Sequence, residues 1–516
     1  MVPALCYYDT LSAKGFTRGA KRQLPKYDRL RQMMKDNQAL HHEGSLAGIT
    51  VAVINLPHPE RLIRRYMCTY KSPFFCFPPH DLLQVATCVR EWTGANIVFL
   101  DAIAENLNTD EVAVFLCEHR PQFLVTLLGV ESLSTDLACA CSLRESVPGM
   151  RLIVFGYYAT QYAEEILLHG QPDAVLRGDP ESSVCEALAH LKAGISLKGI
   201  PGVAFRDTEG HVSSGAIGHL NTLDLLPPPD YSLVKIRLYS EMLLGGPFGA
   251  IATSRGCPYS CRYCTSSHDR TMLVRNVSGV VDEMQSLQES GIRVIRFLDD
   301  TFTLDKQRVV AICREIIRRG IRVTWSCLAR VDSLEPEMLS WMRKAGCARV
   351  VVGVESYAPR VLETFGKRTD TSGINQRLKL INKAGIESVG FIIVGGPFES
   401  DDDFELTRKG LLDSPLDLAI IDTVALYGDT QLTEMYRNEI DFQLFPYVSR
   451  WKNPEIDAIA LRRERLLFRQ FYLRPRTLFK QIKNLIRFPG RSLRLFILFT
   501  RFILVTAKHK DRRDLF

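Results

Sequence analysis

The sequence lacks the features that would place it in several common functional classes. Residues 1–24 carry charges throughout and contain no continuous apolar segment of the kind that forms a secretory signal. The sequence contains no Gly-x4-Gly-Lys-Ser/Thr loop and none of the acid–base motifs of hydrolytic enzymes. We therefore expect neither phosphate-loop nor hydrolase chemistry. We also expect a reducing compartment, in which most of the 14 cysteines are free, buried thiols.

The net positive charge is confined to the C-terminal end. The net charge is +7, but residues 462–516 hold sixteen Lys and Arg against three Asp and Glu, which leaves the rest of the chain at −6. A uniformly basic surface for nucleic acid is therefore not indicated, and we expect no nucleic-acid partner.

Residues 47–195 follow the pattern of an α/β domain, after an N-terminal extension at residues 1–46. Continuous apolar segments alternate with helical patterns, which predicts a parallel sheet covered on both faces. The predicted strands are 48–56, 96–100, 122–129, 151–156 and 173–176. Such a doubly wound, Rossmann-like domain binds ligands at the C-terminal edge of its sheet.

A second α/β domain is predicted at residues 241–440, after a linker at 196–240 that contains three successive prolines, 227–229. Its predicted strands are 249–253, 294–298, 323–327, 350–354, 389–394 and 418–424, each followed by a helical pattern. Six such units predict an open six-stranded partial (β/α)6 barrel. In α/β barrels the chemistry gathers at the C-terminal ends of the strands.

Residues 441–516 are predicted to form a basic, amphipathic helical tail. From Phe471 onward large apolar residues alternate with Arg and Lys, and Thr500-Arg501 keeps the apolar run short of the roughly 20 residues that span a membrane. The pattern is typical of a helix in a membrane interface. The alternative is a helical cap packed against the barrel.

Three cysteines, Cys257, Cys261 and Cys264, lie on a short loop directly after the first strand of the second domain and Arg255-Gly256. Structural zinc sites use four ligands, and only His268 offers a nearby fourth. A [4Fe–4S] cluster held by three cysteines keeps one iron open to an outside ligand. A zinc loop with His268 and three unrelated thiols remain the alternatives.

The spacing C-x3-C-x2-C with an aromatic residue, Tyr263, before the last cysteine resembles the signature of radical S-adenosylmethionine (SAM) enzymes. The resemblance implies a [4Fe–4S] cluster on Cys257, Cys261 and Cys264, whose open iron chelates SAM. It also implies an electron donor such as flavodoxin or ferredoxin. Tyr263 is then a cofactor-binding residue.

The same resemblance assigns further cofactor-binding residues at strand ends. It places the SAM ammonium at Asp300, where helix capping is the alternative, and SAM or its ribose at Glu355. Arg330 either grips the SAM carboxylate or pairs with Asp332. The segment that contains Gly390, Ile392 and Gly395 resembles the family's adenine-binding strand.

The first domain resembles the cobalamin-binding domain that precedes the barrel in one large class of radical SAM enzymes, notably at residues 172–181. The resemblance implies cobalamin, although the sequence has no Asp-x-His-x-x-Gly loop for a cobalt-ligating histidine. His58 and His80 lie near the expected edge without the flanking Asp and Gly, so we interpret both as ordinary histidines.

The leading hypothesis is cobalamin-dependent C-methylation of an unactivated carbon in a hydrophobic or natural-product substrate, which includes small molecules, lipids and peptides. The second hypothesis is a radical SAM cyclase that forms rings or C–C bonds without methyl transfer. The third is a non-catalytic iron–sulfur sensor or scaffold. We expect a cytoplasmic protein, and the membrane interpretation of the tail places it at the inner face of the membrane.

Overall fold

The structure is a computed structural model that describes residues 44–72, 75–241, 244–267 and 271–479. Most of the predicted N-terminal extension, the side chain of His268 and residues 480–516 of the predicted tail lie outside the described residues. The described part contains two large sheets, which correspond to the two α/β domains expected from the sequence.

The first sheet has seven strands in the order β4–β1–β5–β6–β7–β8–β9. Its strands are β1 (Thr50–Asn55), β4 (Asn96–Asp101), β5 (Phe123–Leu127), β6 (Arg151–Phe155), β7 (Ala174–Leu176), β8 (Val203–Arg206) and β9 (Val212–Ser214), and a separate hairpin after β1 is formed by β2 (Leu62–Arg65) and β3 (Cys68–Lys71). Its helices are α1 (His80–Thr93), α2 (Ala102–Glu105), α3 (Thr109–His119), α4 (Leu133–Glu145), α5 (Tyr157–Gln161), α6 (Ala163–Gly170) and α7 (Val184–Ala193).

The parallel part of this sheet is doubly wound, as the sequence predicts. Strand β1 pairs in parallel with both β4 and β5, so the strand order reverses beside β1. Its residues 51–55 are all buried, which is the pattern of a strand covered on both faces. The loops after β1 and β5 therefore border the crevice where such sheets bind ligands.

Part of the predicted linker belongs to the first sheet. Strands β8 and β9 pair antiparallel with β7 and with each other, and Val203, Ala204 and Phe205 are buried. The linker prediction for residues 196–240 is therefore wrong at 203–214. The physical reason is that this short apolar segment covers the otherwise open edge of β7.

The second sheet has six parallel strands in chain order, as expected for a partial barrel. Its strands are β10 (Phe248–Ile251), β13 (Val294–Phe297), β14 (Thr324–Arg330), β15 (Cys347–Glu355), β16 (Glu387–Val394) and β17 (Leu418–Thr423), and β11 (Ser254–Arg255) pairs with β12 (Leu273–Val274) outside it. Its helices are α8 (Val277–Glu289), α9 (Lys306–Arg318), α10 (Pro336–Lys344), α11 (Pro359–Thr364), α12 (Ile374–Lys383) and α13 (Asp401–Leu412).

The pleat of these strands divides their side chains between the helix layer and the barrel lumen. Ile295 and Phe297 of β13 belong to the core that the helices cover, so Arg296 between them faces the lumen. Val351, Val389 and Leu418 form a separate apolar cluster on the lumen side.

The chain after β17 is not entirely helical. After α14 (Gln431–Met435), a hairpin of β18 (Ile440–Leu444) and β19 (Tyr447–Trp451) precedes α15 (Pro454–Leu473). The helical prediction for 441–516 is therefore wrong for the hairpin, in which Phe442, Leu444 and Tyr447 pack against the first domain.

Helix α15 packs against the barrel instead of presenting a free apolar face. Leu467 and Phe471 are fully buried, and the Tyr472 hydroxyl donates to the carbonyl oxygen of Ala419 at 2.8 Å. For the part of the tail up to residue 473, this is the helical cap that the sequence left as an alternative. None of the helices in the described residues is long and apolar enough to cross a membrane.

Candidate active site

The three predicted metal ligands lie together on one loop at the mouth of the barrel. Gly256 turns the chain with φ +84° before Cys257, and the amide of Cys264 donates to the carbonyl oxygen of Cys261 at 3.1 Å. The loop is fixed to the rest of the barrel by Arg262, whose amide donates to the carbonyl oxygen of Phe365 at 2.8 Å. None of the three cysteines forms a disulfide, and all three are partly buried.

The surroundings of these thiols favour protonated sulfur unless a cation binds. Burial raises the pKa of Cys257 and Cys261, and it raises the pKa of Cys264 to about 12. Arg330 lies 3.9 Å from the Cys261 sulfur and, with Lys367, opposes the rise at that residue. A bound metal centre would displace the thiol protons, because thiolates are the metal-binding form.

The donor set fits an iron–sulfur cluster. Three thiols of one loop are available, and two cationic side chains stand beside Cys261 to offset the charge of the thiolates. Within the described residues, no three His, Cys, Asp or Glu side chains lie close enough to hold a single metal ion. The assignment of Cys257, Cys261 and Cys264 as cluster ligands stays a prediction.

Two other predicted residues, Tyr263 and Glu355, meet beside this loop. Tyr263 is partly buried, and burial and the negative charge of the nearby Glu355 carboxylate raise its pKa. Glu355 also pairs with Lys367 at 2.9 Å. Its backbone has φ +66°, a conformation that a non-glycine residue adopts only where the surrounding contacts hold it.

Strand β13 is followed by two aspartates with different roles. Asp299 is buried and accepts hydrogen bonds from the Thr253 amide and the Ser254 hydroxyl, both at 2.7 Å, which makes it a structural residue. Asp300 is accessible, yet the protein around it raises the pKa of its carboxyl, and the nearby Ser266 hydroxyl opposes this rise. An accessible carboxylate within a protein-lined space suits a cationic ligand group.

Arg330 forms the ion pair that the sequence left as one of two possibilities. It donates to both carboxylate oxygens of Asp332, at 3.0 and 2.7 Å. Its guanidinium also lies 3.8 Å from the ring centroid of Tyr259. These contacts fix Arg330 between the cysteine loop and the end of β14.

The predicted adenine-binding residues on β16 have packing roles. Ile392 is buried in the core on the helix side, and a Cβ on Gly390 would lie 2.5 Å from a methyl group of Leu416. A Cβ on Gly395, which has φ +95°, would lie 2.3 Å from the Cβ of Ala460 on α15. Any contact of these three residues with SAM would therefore use the backbone.

An interdomain ion pair holds the cysteine loop, and our sequence analysis missed it. Arg255, two residues before Cys257, pairs with Asp179 at 2.8 Å and with Glu181 at 2.5 Å. Both carboxylates follow strand β7 of the first sheet. The sequence did contain a signal for this ion pair. It has an arginine beside the cysteines and two acidic residues just after a predicted strand.

The hairpin β2–β3 also reaches the loop from the first domain. The Thr265 hydroxyl donates to the carbonyl oxygen of Met67 at 3.2 Å, and the Thr69 hydroxyl accepts from the amide of Val130 at 2.8 Å. The hairpin therefore links the crevice after β5 to the mouth of the barrel.

Neither histidine near the first sheet's edge has the setting of a cobalt ligand. His58 accepts a hydrogen bond from the Glu60 amide at 3.0 Å through Nδ1, and burial lowers its pKa. His80 is 3% exposed, and burial lowers its pKa to about 3. Both positions agree with the interpretation of ordinary histidines.

Residues 251–410 match the family model of the radical SAM superfamily. This part of the chain is a radical SAM domain. The matched residues contain the cysteine loop and most of the barrel, including Asp300, Arg330, Glu355 and the β16 segment.

Curated relatives of this radical SAM protein extend beyond the matched domain. It is 29% identical to an uncharacterised methyltransferase of Pyrococcus horikoshii over 83% of this chain and 93% of the relative. It is 26% identical to the anaerobic magnesium-protoporphyrin IX monomethyl ester cyclase of Cereibacter sphaeroides over 81% and 69%, and 26% identical to the hopanoid C-3 methylase of Methylococcus capsulatus over 69% and 67%.

Solved structures share the order of the two domains with this radical SAM protein. The radical SAM methyltransferase TsrM of Kitasatospora setae aligns with a TM-score of 0.62 and 18% identity over 76% of each chain. The cobalamin-dependent radical SAM enzyme OxsB aligns with a TM-score of 0.58 and 17% identity over 76% of this chain and 55% of its own. These likenesses confirm the fold expected from the sequence.

Proposed function

We propose that this radical SAM protein is a cobalamin-dependent C-methyltransferase that acts on an unactivated carbon of a small-molecule substrate. The observation that carries the proposal is the ion pair of Arg255 with Asp179 and Glu181. It joins the loop that would hold the cluster to the C-terminal edge of the first sheet. A cofactor bound in that crevice would face the mouth of the barrel.

The relatives support methyl transfer. The chain covers almost the whole of the Pyrococcus horikoshii methyltransferase, and the Methylococcus capsulatus relative is a hopanoid methylase. The structural relatives TsrM and OxsB have been solved with cobalamin. The first domain here has the corresponding doubly wound sheet, without a suitable histidine, so cobalamin would bind without a histidine ligand to its cobalt.

The residues at the barrel mouth suit SAM radical chemistry. When bound, a reduced cluster supplies the electron that cleaves SAM to a 5′-deoxyadenosyl radical, and cobalamin supplies the methyl group. Cys257, Cys261 and Cys264 would hold the cluster, and Asp300 would bind the SAM ammonium. Glu355, held by Lys367, would contact the ribose, while Arg330 positions the loop.

Ring formation is the second candidate, and the cyclase of Cereibacter sphaeroides favours it, since this chain matches it over 81% of its own length. The two candidates share the cluster and SAM and differ in the fate of the substrate radical. The mass of the product distinguishes the two candidates, because methylation adds one carbon and two hydrogens to the substrate, whereas ring closure adds no carbon.

Radical SAM chemistry needs a reductant, and we propose a flavodoxin or ferredoxin as the electron donor. We also propose that the substrate can be a lipid or a peptide. For the residues after 479, contact with the inner face of the membrane stays a prediction. Comparing the membrane fraction of the full chain with that of a chain ending at residue 479 tests it.

The decisive experiment uses the full chain, purified and reconstituted without oxygen. The reduced protein should convert SAM to 5′-deoxyadenosine, and the denatured extract should show corrinoid absorbance. A colourless extract from cells supplied with cobalamin contradicts the methyltransferase. A 5′-deoxyadenosine yield no higher than that of Cys257→Ala contradicts both enzymatic candidates and favours the iron–sulfur scaffold.

A further inference from the structure

A polar layer crosses the otherwise apolar lumen of the barrel. Four residues on adjacent strands are direct neighbours in the parallel register: Arg296 of β13, Ser326 of β14, Arg349 of β15 and Glu387 of β16. Residues paired in this way point to the same side of a sheet. Arg296 points away from the helix-side core, so this side is the lumen.

Two arginines and two glutamates lie in or beside this layer, so their formal charges balance. Arg349 pairs with Glu241 and with Glu387, in each case at 2.6 Å. Both glutamates near the layer are thus engaged by one arginine. Arg296 remains, and among the described residues its guanidinium has neither a hydrogen bond nor an ion pair.

Two further donors beside Arg296 lack acceptors. The Ser326 hydroxyl is fully buried and has no hydrogen-bond partner in the described part of the chain. Tyr70, on strand β3 of the hairpin, is 42% exposed, and burial raises the pKa of its hydroxyl while the charge of Arg296 lowers it. A buried donor without a partner, such as the Ser326 hydroxyl, costs free energy, which a ligand that accepts a hydrogen bond from it recovers.

The wall above this layer is apolar and partly open. Leu328, Phe391 and Ile393 are half-buried, and Ile420 of β17 is 42% exposed although all lie on strands of the barrel. Open apolar surface inside a barrel is the usual lining of a small-molecule site. Arg296 lies four residues before Asp300, which separates the two on the order of 10 Å along the strand.

We propose that Arg296, Ser326 and Tyr70 bind a carboxylate or phosphate group of the substrate at the base of the lumen. The proposal rests on the proposed function and defines its substrate class as an amphiphile. The anionic end lies at Arg296, the apolar body lies against Phe391 and Ile420, and the reacting carbon lies roughly 10 Å away beside Asp300. A planar guanidinium suits either anion because it can donate two parallel hydrogen bonds.

The test measures binding to the full-length, cluster-reconstituted protein without turnover. The probes are 3-phenylpropionate, 3-phenylpropyl phosphate and the neutral 3-phenylpropan-1-ol, and the measurement is the concentration dependence of the melting temperature. We expect at least one anion to bind more tightly than the alcohol. Arg296→Gln should weaken that binding about tenfold or more and leave alcohol binding within about twofold.

Matched variants keep the test decisive. Arg296→Lys should retain part of the binding, and Arg318→Gln on an exposed face of α9 should retain all of it. If Arg296→Gln does not fold, Ser326→Ala and Tyr70→Phe should each weaken anion binding by about threefold. The stronger of the two anions identifies the group as carboxylate or phosphate.

The proposal is overturned if the alcohol binds as tightly as both anions, or if Arg296→Gln binds them like the unaltered protein. Because no turnover is needed, this outcome is independent of the corrinoid and 5′-deoxyadenosine measurements. A protein without methyltransferase activity whose anion binding depends on Arg296 would retain the site and lose the proposed function.

Discussion

The two parallel sheets of this molecule use their surfaces differently. In the first sheet, strands β1 and β5 are buried on both faces, so ligands can meet it only at its edge. In the second sheet, one face is covered by helices and the other lines a lumen that contains Arg296, Ser326 and Arg349. This difference fits the proposals that the cofactors bind at the C-terminal edges of the sheets and that the substrate binds in the lumen.

The largest expected effect comes from the loop between the two sheets. Cys257→Ala, Cys261→Ala or Cys264→Ala should abolish 5′-deoxyadenosine formation, because a cluster that loses one of three protein ligands is no longer held with one open iron. Iron content and 5′-deoxyadenosine yield are the measurements.

Cys347→Ala is the control for these variants, since Cys347 is buried in the core on the helix side of the barrel. It should lower the melting temperature and keep the cluster. Full activity in any of the three loop variants would contradict the ligand assignment.

The connection between the sheets is broken by Arg255→Gln. The change leaves the buried Glu181 carboxylate without its partner, which should cost about 3 kcal/mol in the free energy of unfolding. If the ion pair aligns the loop with the first sheet, product formation should also fall more than 5′-deoxyadenosine formation. Denaturant unfolding and the ratio of the two products are the measurements.

The control for Arg255→Gln is Arg318→Gln, because Arg318 forms an exposed pair with Glu315 and should contribute little. Equal losses of product and 5′-deoxyadenosine in Arg255→Gln would show that the pair stabilises the fold without aligning the two domains.

A smaller effect is expected inside the barrel mouth from Gly353→Ala. The added Cβ would lie 2.4 Å from Oε1 of Glu355 and 2.9 Å from Nζ of Lys367, so this pair must move. If Glu355 contacts SAM, the KM for SAM should rise by about tenfold, or about 1.4 kcal/mol.

Gly373→Ala is matched to this variant, since its Cβ would meet no atom closer than 3.6 Å. An unchanged KM for SAM in Gly353→Ala, with a correctly folded protein, would remove Glu355 from the SAM site.

The smallest effect concerns Glu131, in the loop after β5 of the first sheet. Burial and the nearby Asp422 of β17 raise its pKa from 4.5 to about 7. The folded protein therefore holds this proton more tightly than the unfolded chain, and stability falls as the pH rises from about 5 to about 7. In Glu131→Gln this contribution should be absent.

We would measure the melting temperatures of the unaltered protein and of Glu131→Gln across this pH range. Only the difference between the two melting temperatures is informative, because other groups titrate in both proteins. Parallel curves for the two proteins would contradict the raised pKa and the closeness of Glu131 to Asp422.

Much of the fold was predictable because its signals are local. Apolar strands and helical patterns located the six barrel strands to within a few residues, and the cysteine spacing located the loop. The hairpin at 440–451 was missed because its aromatic residues gain stability only by packing on the first domain. Strands β8 and β9 were assigned to a linker, because their place in the sheet depends on pairing with the open edge of β7.

The candidate site was less predictable than the fold. The sequence predicted cofactor-binding roles for Tyr263 and Glu355, which are 92 positions apart, but did not indicate that the two residues lie close together. It also gave Gly390 and Gly395 a binding role, whereas Leu416 and Ala460 account for both glycines. Arg255 and Arg296 carried no motif at all.

The sequence by itself determined the order of the two α/β domains, the strands and the three-cysteine loop, because each depends on residues close together in the chain. Only the tertiary structure decided that Arg255 joins the loop to the first sheet and that Arg296 and Ser326 lie in one layer of the lumen. Those contacts depend on how the barrel closes and where the first sheet docks, which no local pattern of residues specifies.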